Sequence, residues 1–516
     1  MTDKKDRRRI RSNIIQIFTG TFLSRIFGFV REMVVGWFFG TGRIADAFSF
    51  ALMFPNLFRQ ILGEDMVERA FMPPFKTIYD KGEKERSWKF LSVVFNWFFF
   101  SLLIVMTLLY FIIPLIFMVL KEFEMKGNFD YELSLELILI MMPFMVFIGL
   151  AAFVGSLLNF FERNWIFGFA PVMLSVGVIA GIVWFEPSIG GYSIAVGYLI
   201  GALLQFIVHV PFLISKSFKD ETKIKYTFAF KDTSNDYGII KRESKIIGLN
   251  AVFNKSAEFI DRLVATLLHT GATSSLFYGQ RLFQLPGAII GLSITRGLNP
   301  LLNKIKTENN KEKFSDLYFK GCRLYFLILL PVTVICVGAS EEIVAIIYQR
   351  GAFNADSTRL TSQAFIMYSF GLIPLSYTGY YMRVLSLVSK NIHSLKVSVV
   401  SAVINAGLSY ILAIYTPMGH MGIALATSIS LYYNMFMLNR YISSDMSDLI
   451  DPKFKFFARA ENILSVLAGV FLMILFLNKG MVAEISSNIF VILSVKTILT
   501  GMVFGILLLI FKRKTK

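Results

Sequence analysis

Long uninterrupted apolar runs recur along this chain and limit the folds open to it. Hydrophobic residues fill 55% of its 516 positions, and the mean hydropathy is +0.61. About 20 apolar residues form a helix long enough to cross the hydrocarbon layer of a bilayer, where a helix satisfies every backbone hydrogen bond internally. The runs therefore predict an all-α polytopic membrane protein with about fourteen transmembrane helices. The predicted spans are 12–39, 44–70, 88–120, 132–160, 164–185, 190–215, 240–269, 273–302, 314–338, 358–389, 394–416, 419–441, 456–478 and 484–511.

Lysine and arginine are distributed unequally between alternate loops of this topology. The loops on the side of the two termini hold 34 of these residues, and the opposite loops hold 6. Because cytoplasmic loops are rich in Lys and Arg, both termini are predicted to be cytoplasmic. The net charge of +17 then reflects membrane topology. We therefore expect no nucleic-acid partner.

Two similar segments indicate an internal repeat. Phe38–Pro55 resembles Leu267–Pro286, and aligning Gly42 with Gly271 sets an offset of six spans. An even offset gives both halves the same orientation, as in transporters built from parallel repeats with the substrate site between the halves. Chance similarity between two apolar sequences is the alternative explanation.

The repeat predicts three parts in the chain. The first is an N-terminal six-helix lobe with a polar cytoplasmic linker at 216–245, the second is a C-terminal six-helix lobe, and the third consists of two additional helices. The predicted boundaries of these parts are 1–230, 231–445 and 446–516.

Charged residues interrupt the first two spans. Arg25, Gly28 and Glu32 have the spacing of one helical face, and Arg59 follows Pro55 by one turn. An ionised side chain at the centre of a bilayer costs at least about 2.5–3.5 kcal/mol. Such residues therefore need a water-filled cavity, internal pairing or a charged ligand.

The seventh and eighth spans carry a second polar set. Its members are Lys255, Glu258, Asp261, Arg262, Gln280, Arg281 and Gln284. The spacing of Glu258 from Lys255 and from Arg262 also permits structural ion pairs. Arginines outnumber carboxylates at matching depth, and guanidinium groups bind phosphate oxygens in a fork geometry. The pattern therefore favours a cavity for a phosphorylated anion, with Gly28, Pro55 and Pro286 as bending points.

Motifs of enzymatic chemistry are missing from the sequence. Its four histidines show no metal-ligand spacing, and no P-loop, GxSxG turn or Cys/His cluster occurs. We therefore expect a transporter rather than an enzyme, without a cofactor. Transport would be driven by an ion gradient or the membrane potential, or would run downhill.

Several ordered motifs resemble the MurJ (MviN) family of lipid II flippases, within the MATE-like multidrug/oligosaccharidyl-lipid/polysaccharide exporter superfamily. They are SRIFGFVRE, FGTGRIADAF, FPNLFRQILGE, AFMPPF, FYGQRLFQLPGAIIG and YQRGAFNADST, within residues 10–370. The resemblance implies alternating-access transport of lipid II, the undecaprenyl-pyrophosphate-linked disaccharide-pentapeptide, to the outer leaflet of the bacterial cytoplasmic (inner) membrane. It also implies a role in peptidoglycan synthesis and cell shape, and two six-helix bundles around a cationic cavity with a lipid-tail groove formed by the last two helices.

The resemblance also implies a set of site residues. The substrate-binding positions are Arg25, Arg31, Arg59, Arg281, Asp46, Glu32, Asn56, Ser274 and Gln284. Some relatives hold Na⁺ with groups from the seventh, eleventh and twelfth spans, which correspond here to Asp261, Asn405 and Thr427. Ser409 stands one turn from Asn405, where an aspartate would complete such a site, and this departure puts sodium coupling in doubt.

The expected function implies particular ligands and partners, and two alternative functions stay open. Lipid II and membrane lipids are the expected ligands of a monomer, with cell-wall synthesis proteins as further partners. Other readings are a flippase for another polyprenyl-pyrophosphate-linked glycan and a non-transporting scaffold for wall assembly. The arginine excess disfavours export of cationic drugs. A scaffold predicts that the cavity arginines are dispensable, whereas the loop 216–245 is not.

Overall fold

A computed structural model of the chain describes residues 2–58, 67, 71–122, 129–230, 257–308, 310–387, 391–445, 460–477 and 488–514. Helices dominate these residues and no β-strand occurs among them, as the apolar runs predicted. The chain divides into two compact units, Met1–Lys255 and Ser256–Lys516.

The first unit contains eleven described helices. They are α1 (Thr2–Phe39), α2 (Arg43–Ala51), α3 (Met53–Phe58), α4 (Met72–Asp80), α5 (Lys84–Glu122), α6 (Tyr131–Met141), α7 (Phe144–Phe160), α8 (Asn164–Ile189), α9 (Tyr192–Ile207), α10 (Val210–Ile214) and α11 (Lys216–Thr222). Helix α8 packs along both α1 and α9. Glycines allow the α8–α9 approach, because a Cβ added to Gly177 would lie 2.3 Å from the Cα of Gly201. Small residues at such crossings let transmembrane helices pack closely.

The second unit contains eleven described helices and one π-helical turn. They are α12 (257–265), α13 (Ala272–Pro286), the π turn (Gly287–Gly291), α14 (Leu292–Thr307), α15 (Lys311–Gly338), α16 (Ser340–Tyr348), α17 (Ala355–Ser369), α18 (Leu372–Leu387), α19 (Asn391–Ile414), α20 (His420–Asp445), α21 (Ala460–Leu477) and α22 (Ile489–Lys514). Helices α19 and α20 pack along each other, and α21 and α22 pack against α15. An apolar cluster forms that last contact, and its buried members are Phe326, Leu330, Val334, Leu472, Phe476 and Phe504.

Eight of the described helical segments are long and apolar enough to cross a membrane. They are Lys84–Val119, Tyr131–Phe160, Trp165–Ile189, Tyr192–Ile214, Lys311–Gly338, Ile392–Ile414, His420–Ser444 and Ile489–Leu507. A shorter apolar helix, Leu464–Leu477, lies in the thirteenth predicted span. The helices of the fold are broadly consistent with the fourteen predicted spans.

Four predicted spans are interrupted rather than continuous within the described residues. Two of them, the fourth and the sixth, break at Met142–Pro143 and at Val208–His209. The second breaks at Leu52, and the tenth breaks at Phe370–Gly371. A proline ring clashes with the carbonyl four residues earlier and provides no N–H to bond it. Pro55 stands four residues after Ala51, the last residue of α2, and Pro374 stands four residues after Phe370. A proline therefore accounts for the breaks in the second and tenth spans, although Pro114 and Pro331 lie inside the continuous helices α5 and α15.

The two units begin equivalent helices at the predicted repeat offset. Gly42 is the N-cap residue of α2, and Gly271 is the N-cap residue of α13. The aligned glycines thus mark the same structural boundary in each unit.

Candidate functional site

In the first unit, α1 presents a buried ion pair to α9. Arg31 Nη2 lies 2.6 Å from Glu32 Oε1, and the two side chains are 14% and 4% exposed. The Arg31 guanidinium carbon also lies 5.3 Å from the centroid of the Tyr198 ring. That ring packs against Phe48 of α2, with centroids 5.5 Å apart. Helices α1, α2 and α9 therefore jointly hold the arginine.

This ion pair retains hydrogen-bonding capacity. Arg31 Nε and Glu32 Oε2 are both buried and have no hydrogen-bond partner among the described residues. Buried polar atoms are normally hydrogen-bonded, so such an atom calls for an explanation such as a ligand or an ion. The pair can offer one N–H donor and one carboxylate acceptor at the same place. A molecule carrying both anionic oxygens and hydroxyl groups fits this combination.

The remaining predicted residues of the first unit lie on α1, α2 and α3. Arg25 is half-buried on α1, nearly two turns before Arg31, and Asp46 is buried in the first turn of α2. Asn56 is half-buried on α3. Arg59 lies outside the described residues. Gly28 lies within the continuous helix α1, and a Cβ there would meet nothing within 4 Å.

In the second unit, two arginines flank one aromatic ring. The guanidinium carbons of Arg262 and Arg281 lie 5.3 Å and 5.0 Å from the centroid of Phe277. Arg262 is buried and donates to Thr273 O at 3.0 Å and to Gln280 Oε1 at 3.1 Å. A guanidinium over a ring face is attracted by the ring quadrupole. Phe277 therefore supports two cations on neighbouring helices.

The other predicted residues of this unit follow along α13. Ser274 is fully buried in its first turn, and its Oγ donates to Gly271 O at 3.4 Å. Gln284 is half-buried near the end of the helix. Pro286 is the last residue of α13, and the π turn follows at once. π-Helical turns often occur at functional sites.

The structure brings the three predicted sodium ligands together. Asp261 Oδ1 accepts from Ser409 Oγ at 2.7 Å, and Asp261 Oδ2 accepts from Thr427 Oγ1 at 2.8 Å. With the Asn405 amide oriented to suit its neighbours, its nitrogen donates to Asp261 Oδ1 at 3.0 Å and its oxygen accepts from Thr427 N at 3.3 Å. Ser409 therefore completes a cluster that joins α12, α19 and α20.

The cluster holds one carboxylate, because Ser409 stands where the resemblance places a second. Its single carboxylate is already satisfied by two hydroxyls and an amide, and none of its four side chains leaves a buried polar atom unpaired. The cluster forms a hydrogen-bonded contact between three helices.

Sequence reasoning missed the two aromatic supports of the arginines. Tyr198 was not considered, although a tyrosine hydroxyl in an apolar span is a detectable signal. The offset that aligns Gly42 with Gly271 also pairs Phe48 with Phe277, and the sequence indicates no role for either ring. In the structure Phe48 packs on the ring beside Arg31, whereas Phe277 lies beside two arginines itself.

Comparison with known proteins identifies relatives of this arrangement. The sequence profile of the family "Lipid II flippase MurJ" matches residues 36–496. A protein of Rickettsia prowazekii named "Probable lipid II flippase MurJ" is 28% identical over 462 residues, which cover 87% of this chain and 86% of that protein. The protein of the same name from Vibrio cholerae is 26% identical over 460 residues, covering 84% and 83%.

Solved structures share the fold. The structure titled "Lipid II flippase MurJ, inward closed conformation" superposes with a TM-score of 0.76 at 24% identity, covering 97% of this chain and 99% of that one. An inward-facing multidrug resistance MATE transporter of the MOP superfamily gives a TM-score of 0.66 at 14% identity, covering 90% and 99%. The family profile spans most of the sequence, and the chain therefore belongs to the MurJ family of lipid II flippases.

Proposed function

We propose that the chain is a flippase that moves lipid II from the inner to the outer leaflet of the bacterial cytoplasmic membrane by alternating access. Family membership supports this substrate class. The observation that carries the proposal is the buried Arg31–Glu32 pair with a spare donor on Arg31 and a spare acceptor on Glu32. A pyrophosphate accepts from the guanidinium, while a sugar hydroxyl donates to the carboxylate.

The second unit supplies a further cation for the same chemistry. Arg262 is committed to Thr273 O and Gln280. Within the described residues, the contact recorded for Arg281 is with the Phe277 ring face, and no ion pair to a carboxylate occurs. Within the second unit, we assign binding of an anionic headgroup oxygen to Arg281. This assignment extends to Arg25 and Arg59, with Asp46, Asn56, Ser274 and Gln284 as polar neighbours of the headgroup.

The polyprenyl tail stays in lipid during transport and is guided by α21 and α22. Both termini lie in the cytoplasm, as the loop charges indicate. The chain works as a monomer without a catalytic step or a bound cofactor. Bending occurs near Gly28, at the helix break before Pro55 and around Pro286.

The membrane potential drives the cycle in this proposal. A carrier with uncompensated cations moves charge across the field, and one elementary charge corresponds to about 2.3 kcal/mol per 100 mV. The closed Asp261 cluster gives sodium no part in this scheme.

Complementation tests the proposal directly. The chain and its Arg31→Ala, Glu32→Gln and Arg281→Ala variants are expressed in a strain depleted of its own lipid II flippase, and outer-leaflet lipid II is measured. Loss of a charge-assisted hydrogen bond costs about 1.5–3 kcal/mol, so each variant should reduce export at least about tenfold. Arg350→Ala is the matched control, because this exposed side chain donates to carbonyls at the end of the preceding helix α16, those of Ile346 and Ile347.

Two outcomes would overturn parts of the proposal. If the wild-type chain inserts correctly but restores no lipid II export, another polyprenyl-linked glycan becomes the proposed substrate. Full export by all three site variants would make these residues structural and favour a scaffold.

A further inference from the structure

We infer that the extended segment Lys223–Phe230, together with residues 92–100 of α5, forms a surface that binds the headgroup region of an anionic bilayer. The inference rests on the membrane topology above but not on the transported substrate. The composition of 216–245 predicts a polar cytoplasmic linker. Its described part is hydrogen-bonded to α5 of the first unit.

Four hydrogen bonds hold the segment along α5. Asn96 Nδ2 donates to Ala229 O at 2.9 Å, and Trp97 Nε1 donates to Phe230 O at 3.0 Å. Thr227 N donates to Ser92 Oγ at 3.1 Å, and the Tyr226 hydroxyl donates to Asn96 Oδ1 at 2.5 Å.

Three of these bonds pair backbone groups of the segment, namely Thr227 N, Ala229 O and Phe230 O. Irregular backbone needs partners where lipid offers none. The segment is therefore suited to the hydrated headgroup region and not to the hydrocarbon.

Helix α11 fixes the start of the segment. Phe218 is fully buried in an apolar cluster with Val154, Leu158 and Ile166. Thr222 is also fully buried and donates to Phe218 O at 2.7 Å. The segment thus leaves a packed helix and meets α5 at a defined place.

The length of α5 places this contact at the membrane boundary. Its 39 residues extend about 58 Å at 1.5 Å per residue. The hydrocarbon layer is about 30 Å thick, and the bilayer with headgroups about 40–45 Å. Ser92 and Trp97 stand about 12–20 Å from the Lys84 end of the helix, which belongs to a lysine-rich loop. The remaining turns of α5 suffice to cross the hydrocarbon.

The surface itself is aromatic and exposed. Its five large side chains are between 36% and 69% exposed, namely Trp97, Phe100, Tyr226, Phe228 and Phe230. The Phe230 ring contacts three of the others, with centroids 5.8 Å from Trp97, 5.5 Å from Phe100 and 5.1 Å from Phe228. Aromatic side chains with polar tips concentrate at the headgroup level of membranes.

The charge beside this patch selects the lipid. Four exposed lysines precede or belong to the segment, namely Lys216, Lys219, Lys223 and Lys225, whereas Asp220 is the exposed acidic side chain described there. Lysine clusters close to a span attract anionic lipids such as phosphatidylserine and phosphoinositides. An anionic phospholipid surface matches both the aromatic patch and its basic flank.

Spin-label depth measurement tests the inference on the full-length chain in nanodiscs. Phe228→Cys is labelled, and collisions with oxygen, which partitions into lipid, and with the aqueous reagent nickel-EDDA are compared. The native Cys322 and Cys336 are buried and free, so labelling is directed to the new cysteine. Ile104→Cys, exposed on α5, reports the lipid core, and Lys81→Cys reports water.

We expect position 228 to have an oxygen-to-nickel accessibility ratio severalfold above that at 81 and below that at 104. The ratio should be higher in phosphatidylcholine–phosphatidylglycerol discs than in phosphatidylcholine alone. Lys219→Gln with Lys225→Gln should abolish that difference between the two lipid compositions. Thr227→Cys provides a second labelling position if Phe228→Cys disturbs the patch.

Several outcomes would overturn the inference. A ratio at 228 equal to that at 81 would place the patch in water, and protection from both reagents would indicate protein covering it. An unchanged lipid dependence in the lysine variant would refute the anionic-lipid assignment. Lipid II export by the same variants is measured separately, so failure of the flippase proposal remains distinguishable.

Discussion

Replacing Lys496 by methionine tests what fixes the last two helices to the second unit. Lys496 lies on α22, and its side chain is 5% exposed. Its Nζ donates to Gly338 O at 2.7 Å and to Glu342 Oε1 at 2.6 Å, and lies 6.0 Å from the Phe476 ring centroid. Methionine keeps the apolar stem but removes the charge and both hydrogen bonds.

The structure sets the size of the effect. Removing one partner of a buried ion pair costs about 3–5 kcal/mol because the other charge remains buried. Glu342 is 14% exposed and regains some hydration, so we take the lower end, about 3 kcal/mol. For a unit of this size, each kcal/mol shifts Tm by about 2–4 °C. Lys496→Met should therefore lower Tm by about 6–12 °C.

A thiol-reactive dye provides the assay. Cys322 and Cys336 are free and buried on α15, the helix that α21 and α22 cover, so dye labelling on heating reports unfolding at this contact. A double-mutant cycle with Glu342→Gln should give a coupling of about 2 kcal/mol. The reversibility of unfolding is checked before Tm is converted into free energy.

Lys320→Met is the matched control on α15. Its ion pair with Asp316 has a similar N–O distance, 2.6 Å, but both side chains are more than half exposed. Exposed pairs contribute about 0–1 kcal/mol, so this variant should change Tm little. Equal Tm losses for the two lysine variants, or strict additivity in the cycle, would refute the reasoning.

Three further predictions concern the α8–α9 crossing, the Asp261 cluster and the ring beside Arg31. Gly177→Ala should lower the free energy of unfolding by about 1–3 kcal/mol by overpacking the α8–α9 crossing. Gly28→Ala should not, because a Cβ there meets nothing within 4 Å, and equal Tm values for the two variants would contradict this account. Replacing Na⁺ by choline should leave the Tm of the wild-type chain unchanged. Ser409→Asp adds a second carboxylate to the Asp261 cluster, so the Tm of this variant should rise with Na⁺ concentration. A rise in the wild-type Tm with Na⁺ would contradict this prediction. Tyr198→Leu should lower lipid II export about 2- to 30-fold by removing the ring beside Arg31, and Tyr198→Phe should retain it; equal loss in both would refute the ring contact.

The helix breaks at prolines show which features of the fold the local sequence can predict. The sequence analysis named Pro55 as a bending point, and α2 does end four residues before it. Pro374 breaks the tenth predicted span by the same steric rule, but its apolar surroundings concealed it from an analysis based on hydropathy. The rule is local and marks candidate positions, but Pro114 and Pro331 lie inside continuous helices, so packing decides which prolines break a span.

The Asp261 cluster shows what the resemblance to the family adds to the prediction from sequence. Asp261, Asn405 and Thr427 were predicted together from the family, and the structure brings them within hydrogen-bonding distance. Whether such oxygens bind a cation or one another depends on the directions of their hydrogen bonds. Spacing along the sequence does not specify those directions.

Composition identified a polar linker at 216–245 but not its contacts. In the described part of this linker, Ala229 O and Phe230 O accept hydrogen bonds from Asn96 and Trp97 of α5. These partners are more than 130 positions away in the sequence, and side chains of an apolar span give no local sign of binding a distant backbone.

The sequence by itself determined the membrane class, the approximate number of spans and the arginine excess, and its loop charges predict the cytoplasmic side. These properties follow from hydropathy, helix length and charge, which are local quantities. Only the tertiary structure decided which groups each charge meets: Tyr198 beside Arg31, Phe277 between two arginines, and Glu342 with Gly338 around Lys496. The physical reason is that electrostatic and ring contacts act over a few ångströms, and packing alone brings residues from distant helices that close.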